Sequence, residues 1–317
     1  MACYNRAMSF STPPSPTTRA LPFLFLGAGV GIVSFAAILI RFAHADGAPS
    51  LAIASVRLGV AALVLAPFAW WRAGAEIRGL GSRELLLCLL SGFLLAVHFW
   101  VWITSLEYTS IASSTALVAT NPLWVALASA ILLRERPGRA ALTGIVLTLC
   151  GSALIFVADA NRGASGVAPI FGNALALVGA MAASGYLLVG RALRARVSLT
   201  AYIWLAYTTA ALLLASAAVV SGVSFLALPA GAWMAMLALA LGPQLLGHSI
   251  FNWALRRLSA TFVAVAILGE PVGSALLAWL LFGENFSAPQ FAGFALLLLG
   301  IFVAAREERG EREPVAA

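Results

Sequence analysis

The chain has 317 residues, 62% of them in the AVILMFWYC class and only 10% charged, with a formal net charge of +7 and a pI near 10.2. Soluble globular domains carry roughly 45–50% apolar and about 25% charged residues, so a soluble protein of this length is excluded. All 19 basic residues are arginine, which also excludes a Walker-A phosphate loop, a lysine Schiff base and a lysine general base.

Residues 1–19 open the chain with a Ser, Thr and Pro cluster from Ser9 to Thr18, together with Arg6 and Arg19 and no acid. This is the composition of a disordered polar tail. It leads directly into a full-length apolar stretch, so it reads as a cytosolic tail and not as a removed signal. Ten stretches long enough to cross a hydrocarbon core of about 30 Å follow, at 20–42, 51–71, 84–105, 110–133, 139–158, 168–190, 198–221, 230–254, 259–282 and 289–305. The expected fold is an all-α integral membrane protein of ten transmembrane helices. Residues 20–158 hold the first five, 159–167 form an outer linker, 168–305 hold the second five, and 306–317 are a second cytosolic tail. Cys3 lies in the first tail, while Cys88 and Cys150 lie in spans. That spacing supports neither a disulfide framework nor a metal site, and no cofactor is expected.

Arginine marks cytoplasmic loops. With the N-terminus inside, the inner segments hold Arg6, Arg19, Arg72, Arg78, Arg83, Arg134, Arg136, Arg139, Arg191, Arg194, Arg196, Arg256, Arg257, Arg306, Arg309 and Arg312, which is 16 of the 19. The outer side keeps Arg41 and Arg162, and Arg57 lies within the second span. Both termini are therefore expected in the cytosol. The high pI is an orientation signal, and no nucleic-acid partner is expected.

At a shift of 149 residues the chain repeats itself. Pro122 falls on Pro271, Glu135 on Glu284, Gly144 on Gly293 and Gly151 on Gly300, and with one gap His98 falls on His248. Five spans per unit reverse the direction of entry, which predicts an inverted pair. The basic connection at 134–139 agrees with this, since its counterpart at 283–290 has no arginine.

The stretch LEYTSIASSTALVATNPLWVALASAILLRERPGRAALTGIVLTLCGSALIF and its partner LSATFVAVAILGEPVGSALLAWLLFGENFSAPQFAGFALLLLGIFVA resemble the two repeats of EamA-type drug/metabolite transporters. Arg57, in ASVRLGVAALVL, resembles the second-helix arginine of that pattern. The resemblance covers about residues 20–305 and implies ten helices and movement of small metabolites, often amino acids, commonly outward. Within the family the sequence is most similar to bacterial aromatic-amino-acid exporters, which implies a multi-pass protein of the inner membrane.

Such transporters place substrate near the midplane, where repeats meet and helices break. Asn121 and Glu270 lie near mid-depth, each directly before a proline. Pro122 and Pro271 cannot donate to the carbonyls of Val118 and Ile267, so both helices should bend or open there. Asn121 alone reads equally well as an interhelical hydrogen bond, whereas a central carboxylate at Glu270 must be neutralised, paired or wet. His98 is expected near the outer end of its span and His248 near the inner end of its own, lining two symmetric vestibules. His98 shares a helical face with Trp102, and Gln244, His248 and Asn252 form a polar stripe that should line a cavity or a polar helix contact. Trp100, Trp102, Trp124, Tyr186, Trp204, Trp253 and Trp279 offer stacking faces, Trp102 and Tyr186 being the cavity candidates. Trp70 and Trp71 read as interface anchors.

Arg57 reads mainly as a structural or charge-pairing residue, with a substrate-carboxylate role as the lesser alternative. Glu135 and Glu284 belong to helix starts. The pairs Gly27/Gly31, Gly269/Gly273, Gly144/Gly151 and Gly293/Gly300 belong to helix packing.

The expected function is secondary transport of amino acids (aromatic, with methionine and threonine) or similar small metabolites by alternating access. The partners are a small-molecule substrate, the lipid bilayer and, at Glu270, His98 or His248, protons; the expected state is a monomer. An enzyme is disfavoured because H-E-x-x-H and G-x-S-x-G are absent and the two aspartates, Asp46 and Asp159, fall in loops. A channel is the closer rival, though no ring of charges or filter-like loop is visible.

Overall fold

The computed structural model describes residues 16–109, 114, 117, 118, 120–134, 137–160, 168–282 and 286–310. Among them all regular structure is helical. A backbone in hydrocarbon must pair its own N–H and C=O groups, and a run of apolar residues does so within one segment only as helix.

The first half begins with α1 (Pro16–Val33) and α2 (Phe35–Ala45), which form one span with a step at Ser34. It continues with α3 (Ser50–Arg78) and α4 (Ser82–Tyr108). α5 (Asn121–Ala128) runs into a π turn at Ser129–Leu133, and α6 (Arg139–Ala160) follows. The second half holds α7 (Pro169–Leu193), α8 (Leu199–Val220) and α9 (Ala230–Leu239). α9 widens into a π segment at Ala240–His248 around Pro243 and resumes as α10 (Ser249–Ala254). α11 (Ala260–Ile267), α12 (Glu270–Phe282) and α13 (Ala288–Gly310) complete the chain. Ser198 and Ser259 cap α8 and α11 by accepting from the backbone N–H groups of Ala201 and Phe262, which satisfies donors that a helix start leaves open.

Eight helical runs among the described residues are long and apolar enough to cross a membrane: Ala20–Ala45, Ser50–Arg78, Ser82–Tyr108, Ile170–Leu193, Leu199–Val220, Ala230–Ala254, Ala260–Leu281 and Ala288–Glu307. The sequence suggested ten. The eight do not include the fourth and fifth expected spans, where the described residues hold the shorter apolar helices Asn121–Leu132 and Arg139–Ile155. At the fourth, Leu117 and Val118 are helical, Thr120 forms a turn, and helix resumes at Asn121 just before Pro122. The second span also runs on to Arg78 and not merely to residue 71, because Gly79 is the first position to leave the helix, its N–H bonding back to Ala75 and Glu76. Glu135, Arg136, Arg162 and Glu284 lie outside the described residues. Trp70 and Trp71 are exposed, as interface anchors would be, and exposed Leu63, Ile131, Leu212 and Val219 give the bundle an apolar outer surface.

Packing pairs helices from opposite halves. α6 lies against α13, α3 against α8, α5 against α11, α4 against α7, and α1 against the π segment and α10. Exchanging the halves leaves this set of pairs unchanged, as a two-fold relation requires. The α6/α13 pair also gives direction. Gly144 faces Gly300 while Gly151 faces Gly293, so the two helices run antiparallel. Their backbones touch: a Cβ placed on Gly144 would lie 2.7 Å from the Gly300 carbonyl oxygen, and one on Gly300 would lie 2.7 Å from the Gly144 carbonyl oxygen.

Candidate functional site

Both proline positions break their helices in the same way. α11 ends at Ile267, and a tight turn in which Leu268 and Gly269 donate to Val265 and Ala266 leads into α12, starting at Glu270. In the first half Thr120 donates to Leu117 in the equivalent turn, and α5 starts at Asn121 with Pro122 in its first turn. Proline is tolerated there because its missing N–H would have no helical acceptor. A serine one helix away ties down each break. Ser34 Oγ donates to Val30 O at 2.8 Å and to Glu270 O at 3.4 Å, and Ser184 Oγ donates to Ala180 O at 2.7 Å and to Asn121 O at 3.2 Å. The serine that holds each half's break thus comes from the other half.

Between the halves lies a cavity of about 390 Å³, within the roughly 300–1,000 Å³ of small-molecule sites. Arg57, His98, Trp102, Asn121, Tyr186, His248, Glu270 and Pro271 all line it. Val118 and Ile267, which lose a helical donor to the two prolines, also contribute to its wall. His98 donates from Nδ1 to the Gly179 carbonyl at 2.9 Å and stacks on Trp102, with centroids 5.7 Å apart and an interplanar angle of 8°. Phe99 stands between the histidines, 4.8 Å from the His98 ring and 5.4 Å from the His248 ring. His98 and His248 therefore face one central cavity, not two vestibules. α4 continues to Tyr108, which puts His98 further from its span end than the sequence alone suggested, while the span that holds His248 ends at Ala254 as expected.

The polar stripe divides. His248 lines the cavity, whereas Gln244 and Asn252 are fully buried in helix contacts. Gln244 Oε1 accepts from Arg57 Nε at 2.7 Å, and its carbonyl accepts from Tyr207 OH at 3.4 Å. Asn252 Nδ2 donates to Tyr186 OH and to His248 O. The wider turn of the π segment changes which residues share a face, so the i, i+4 spacing that joined the three does not place them on one wall. Of the seven aromatic candidates, Trp102 and Tyr186 reach the cavity; Trp100 and Trp279 are exposed, and Trp124 bonds to Thr120 Oγ1 at 3.0 Å. Sequence reasoning passed over Phe99, Phe251, Phe286 and Phe294, which supply most of the aromatic wall. A phenylalanine in an apolar span carries no signal of its own. The sequence reads Arg57 mainly as structural, but the cost of placing a charge inside a span is a signal for its place in the wall.

Arg41, Phe286 and Gln290 also line the cavity. Away from its wall, Arg191 Nη1 donates to the Leu255 carbonyl at 2.8 Å, and Arg194 donates from Nε to Asn252 O at 3.2 Å and from Nη1 to Val197 O. Cations near a helix C-terminus are favourable, and here they tie the end of α7 to the end of α10. Burial, with the nearby Arg256 guanidinium adding to it, lowers the Arg194 pKa to about 10, so it keeps its charge at neutral pH. Arg191→Ala should therefore raise, severalfold, the rate at which an impermeant maleimide labels a cysteine placed at Ala254, in a background free of Cys3, Cys88 and Cys150. An unchanged rate would show that this contact does not hold α7 against the end of α10.

A crystal structure of a protein with 21% sequence identity superposes with a TM-score of 0.73 over 94% of this chain and 100% of its own, showing the same fold. No curated protein matches the chain. The sequence profile of the EamA-like transporter family matches twice, at residues 21–157 and 170–306. The two matched segments together cover most of the chain and repeat the internal duplication, so this protein belongs to the EamA-like transporter family, whose members are multi-pass membrane transporters of small molecules.

Proposed function

We propose that the chain is a secondary carrier that exports amino acids, aromatic ones first and methionine and threonine with them, or closely similar metabolites. It works by alternating access between two inverted five-helix units in the bacterial inner membrane. The observation that carries this reading is the aromatic-walled cavity between the halves, with ionisable groups in its wall. The antiparallel, exchange-symmetric packing supports inversion. The short apolar helices Asn121–Leu132 and Arg139–Ile155 stand where spans four and five belong, which supports ten crossings. The arginine bias supports cytosolic termini, and on that orientation the cavity extends toward the outer side. Transport draws on the substrate gradient or on protons, and one copy of the chain contains a complete pathway.

Counterflow in liposomes tests this reading. Purified protein preloaded with an unlabelled amino acid should accumulate the labelled one transiently and saturably, across a panel of phenylalanine, tryptophan, tyrosine, methionine and threonine. Failure across the panel would move the substrate to other metabolites or drugs. Continuous voltage-driven current without counterflow would favour a channel.

A further inference from the structure

Arg57 is 1% exposed, yet it lines the cavity. Two contacts hold its guanidinium. Nε donates to Gln244 Oε1 at 2.7 Å, and the guanidinium carbon sits 4.0 Å over the centre of the Phe99 ring. A donor bond at one edge and a ring against one face fix the plane of the group. Nη1 and Nη2 are both buried and have no hydrogen-bond partner in the protein. Leaving buried charged donors without a partner is costly, so this arrangement is built for an acceptor that arrives from the cavity. Glu270 lines the same cavity and is near enough to interact electrostatically with Arg57, but no direct ion pair joins them. The carboxylate inside the protein thus leaves Nη1 and Nη2 without a partner.

We propose that Arg57 binds the carboxylate of the transported molecule through Nη1 and Nη2, so that a free carboxylate is required for recognition. The fork of a guanidinium matches two carboxylate oxygens, which a neutral amide or an amine does not supply. Gln244, which orients the fork, belongs to the second half of the chain while Arg57 belongs to the first. Phe99 backs the fork and continues into the aromatic wall formed with His98 and Trp102. A substrate with its carboxylate on Arg57 would lie with its side chain along that wall. This assignment rests on the reading of the chain as an amino-acid carrier and names the group by which the site recognises its substrate.

The test is binding to the wild-type protein in lipid nanodiscs, by calorimetry, of L-phenylalanine, L-tryptophan and L-methionine, each compared with its carboxamide and its decarboxylated amine. For phenylalanine, 3-phenylpropionate, which keeps the carboxylate and lacks the amine, is added. The expected result is binding of the amino acids, a loss of about 100-fold or more for the amides and amines, and retained binding of 3-phenylpropionate. Arg57→Lys and Arg57→Gln should then bind an amino acid and its amide with nearly equal, weak affinity. If either variant fails to fold, the wild-type ligand series decides. Amides that bind within about threefold of the parent amino acids would overturn the assignment while leaving the carrier reading intact, with water as the partner of Nη1 and Nη2. No binding of any amino acid to folded protein would overturn both.

Discussion

Replacing Glu270 with glutamine is expected to abolish the response of transport to an imposed pH gradient while leaving counterflow at equal pH. A carboxylate at the centre of a span costs on the order of 2.5–3.5 kcal/mol by insertion scales, and the fold meets that cost by opening the helix there. α11 stops at Ile267, Pro271 occupies the first turn of α12, and the Glu270 side chain is left half-buried on the cavity wall. Its backbone carbonyl is held separately by Ser34 Oγ, so the amide variant keeps both the shape and the break and loses only the exchangeable proton. Flux into proteoliposomes, with and without a pH step, gives the measurement. His98→Gln and His248→Gln serve as controls, because the two histidines are further proton-exchanging side chains in the same wall. A pH response that survives in Glu270→Gln would remove Glu270 from any proton pathway.

The second large effect concerns stability. Gly151→Val and Gly300→Val should each destabilise the protein by about 1–3 kcal/mol or more and lower the yield of monodisperse protein. A Cβ at 151 would fall 2.6 Å from the Gly293 carbonyl oxygen, and one at 300 would fall 2.7 Å from the Gly144 oxygen. Those obstacles are backbone atoms, so no rotamer change relieves them and the helices must separate. In a bilayer, where packing replaces much of the hydrophobic drive between helices, close approach through glycine is a main source of association. The two-fold relation makes a further point: Gly144 and Gly293, as equivalent positions, should be about equally sensitive to alanine. Thermal unfolding of the two alanine variants in one detergent would measure this. A tolerated Gly300→Val would mean that α6 and α13 are not held at this distance in the membrane.

Much of the scaffold was legible along the chain. Apolar run length gave the eight spans that the helices meet, and rare residues at a constant shift gave the duplication that the family match repeats. The prolines at 122 and 271 predicted where helix would fail, for the local reason that proline has no N–H. Other features could not be read this way. Ser34 and Ser184 are unremarkable in sequence, and their part in holding the breaks exists only because α1 and α7 pass beside them. Pro243 sits in a π segment whose counterpart in α4 is ordinary helix, and that difference moved Gln244 and Asn252 off the cavity wall.

Composition and the lysine-free positive charge settled by themselves that this is a membrane chain, and the arginine bias gave it an expected orientation. These are properties of single segments and loops, each determined by its transfer between water and lipid. Which side chains meet in the cavity was decided only by tertiary structure. Arg57 and Gln244 are 187 positions apart and are joined by a 2.7 Å bond. The apolar run around Arg57 accounts for its place in a span, but whether its donors are paired or open depends on helices far away in the sequence, and that is where recognition of the substrate lies.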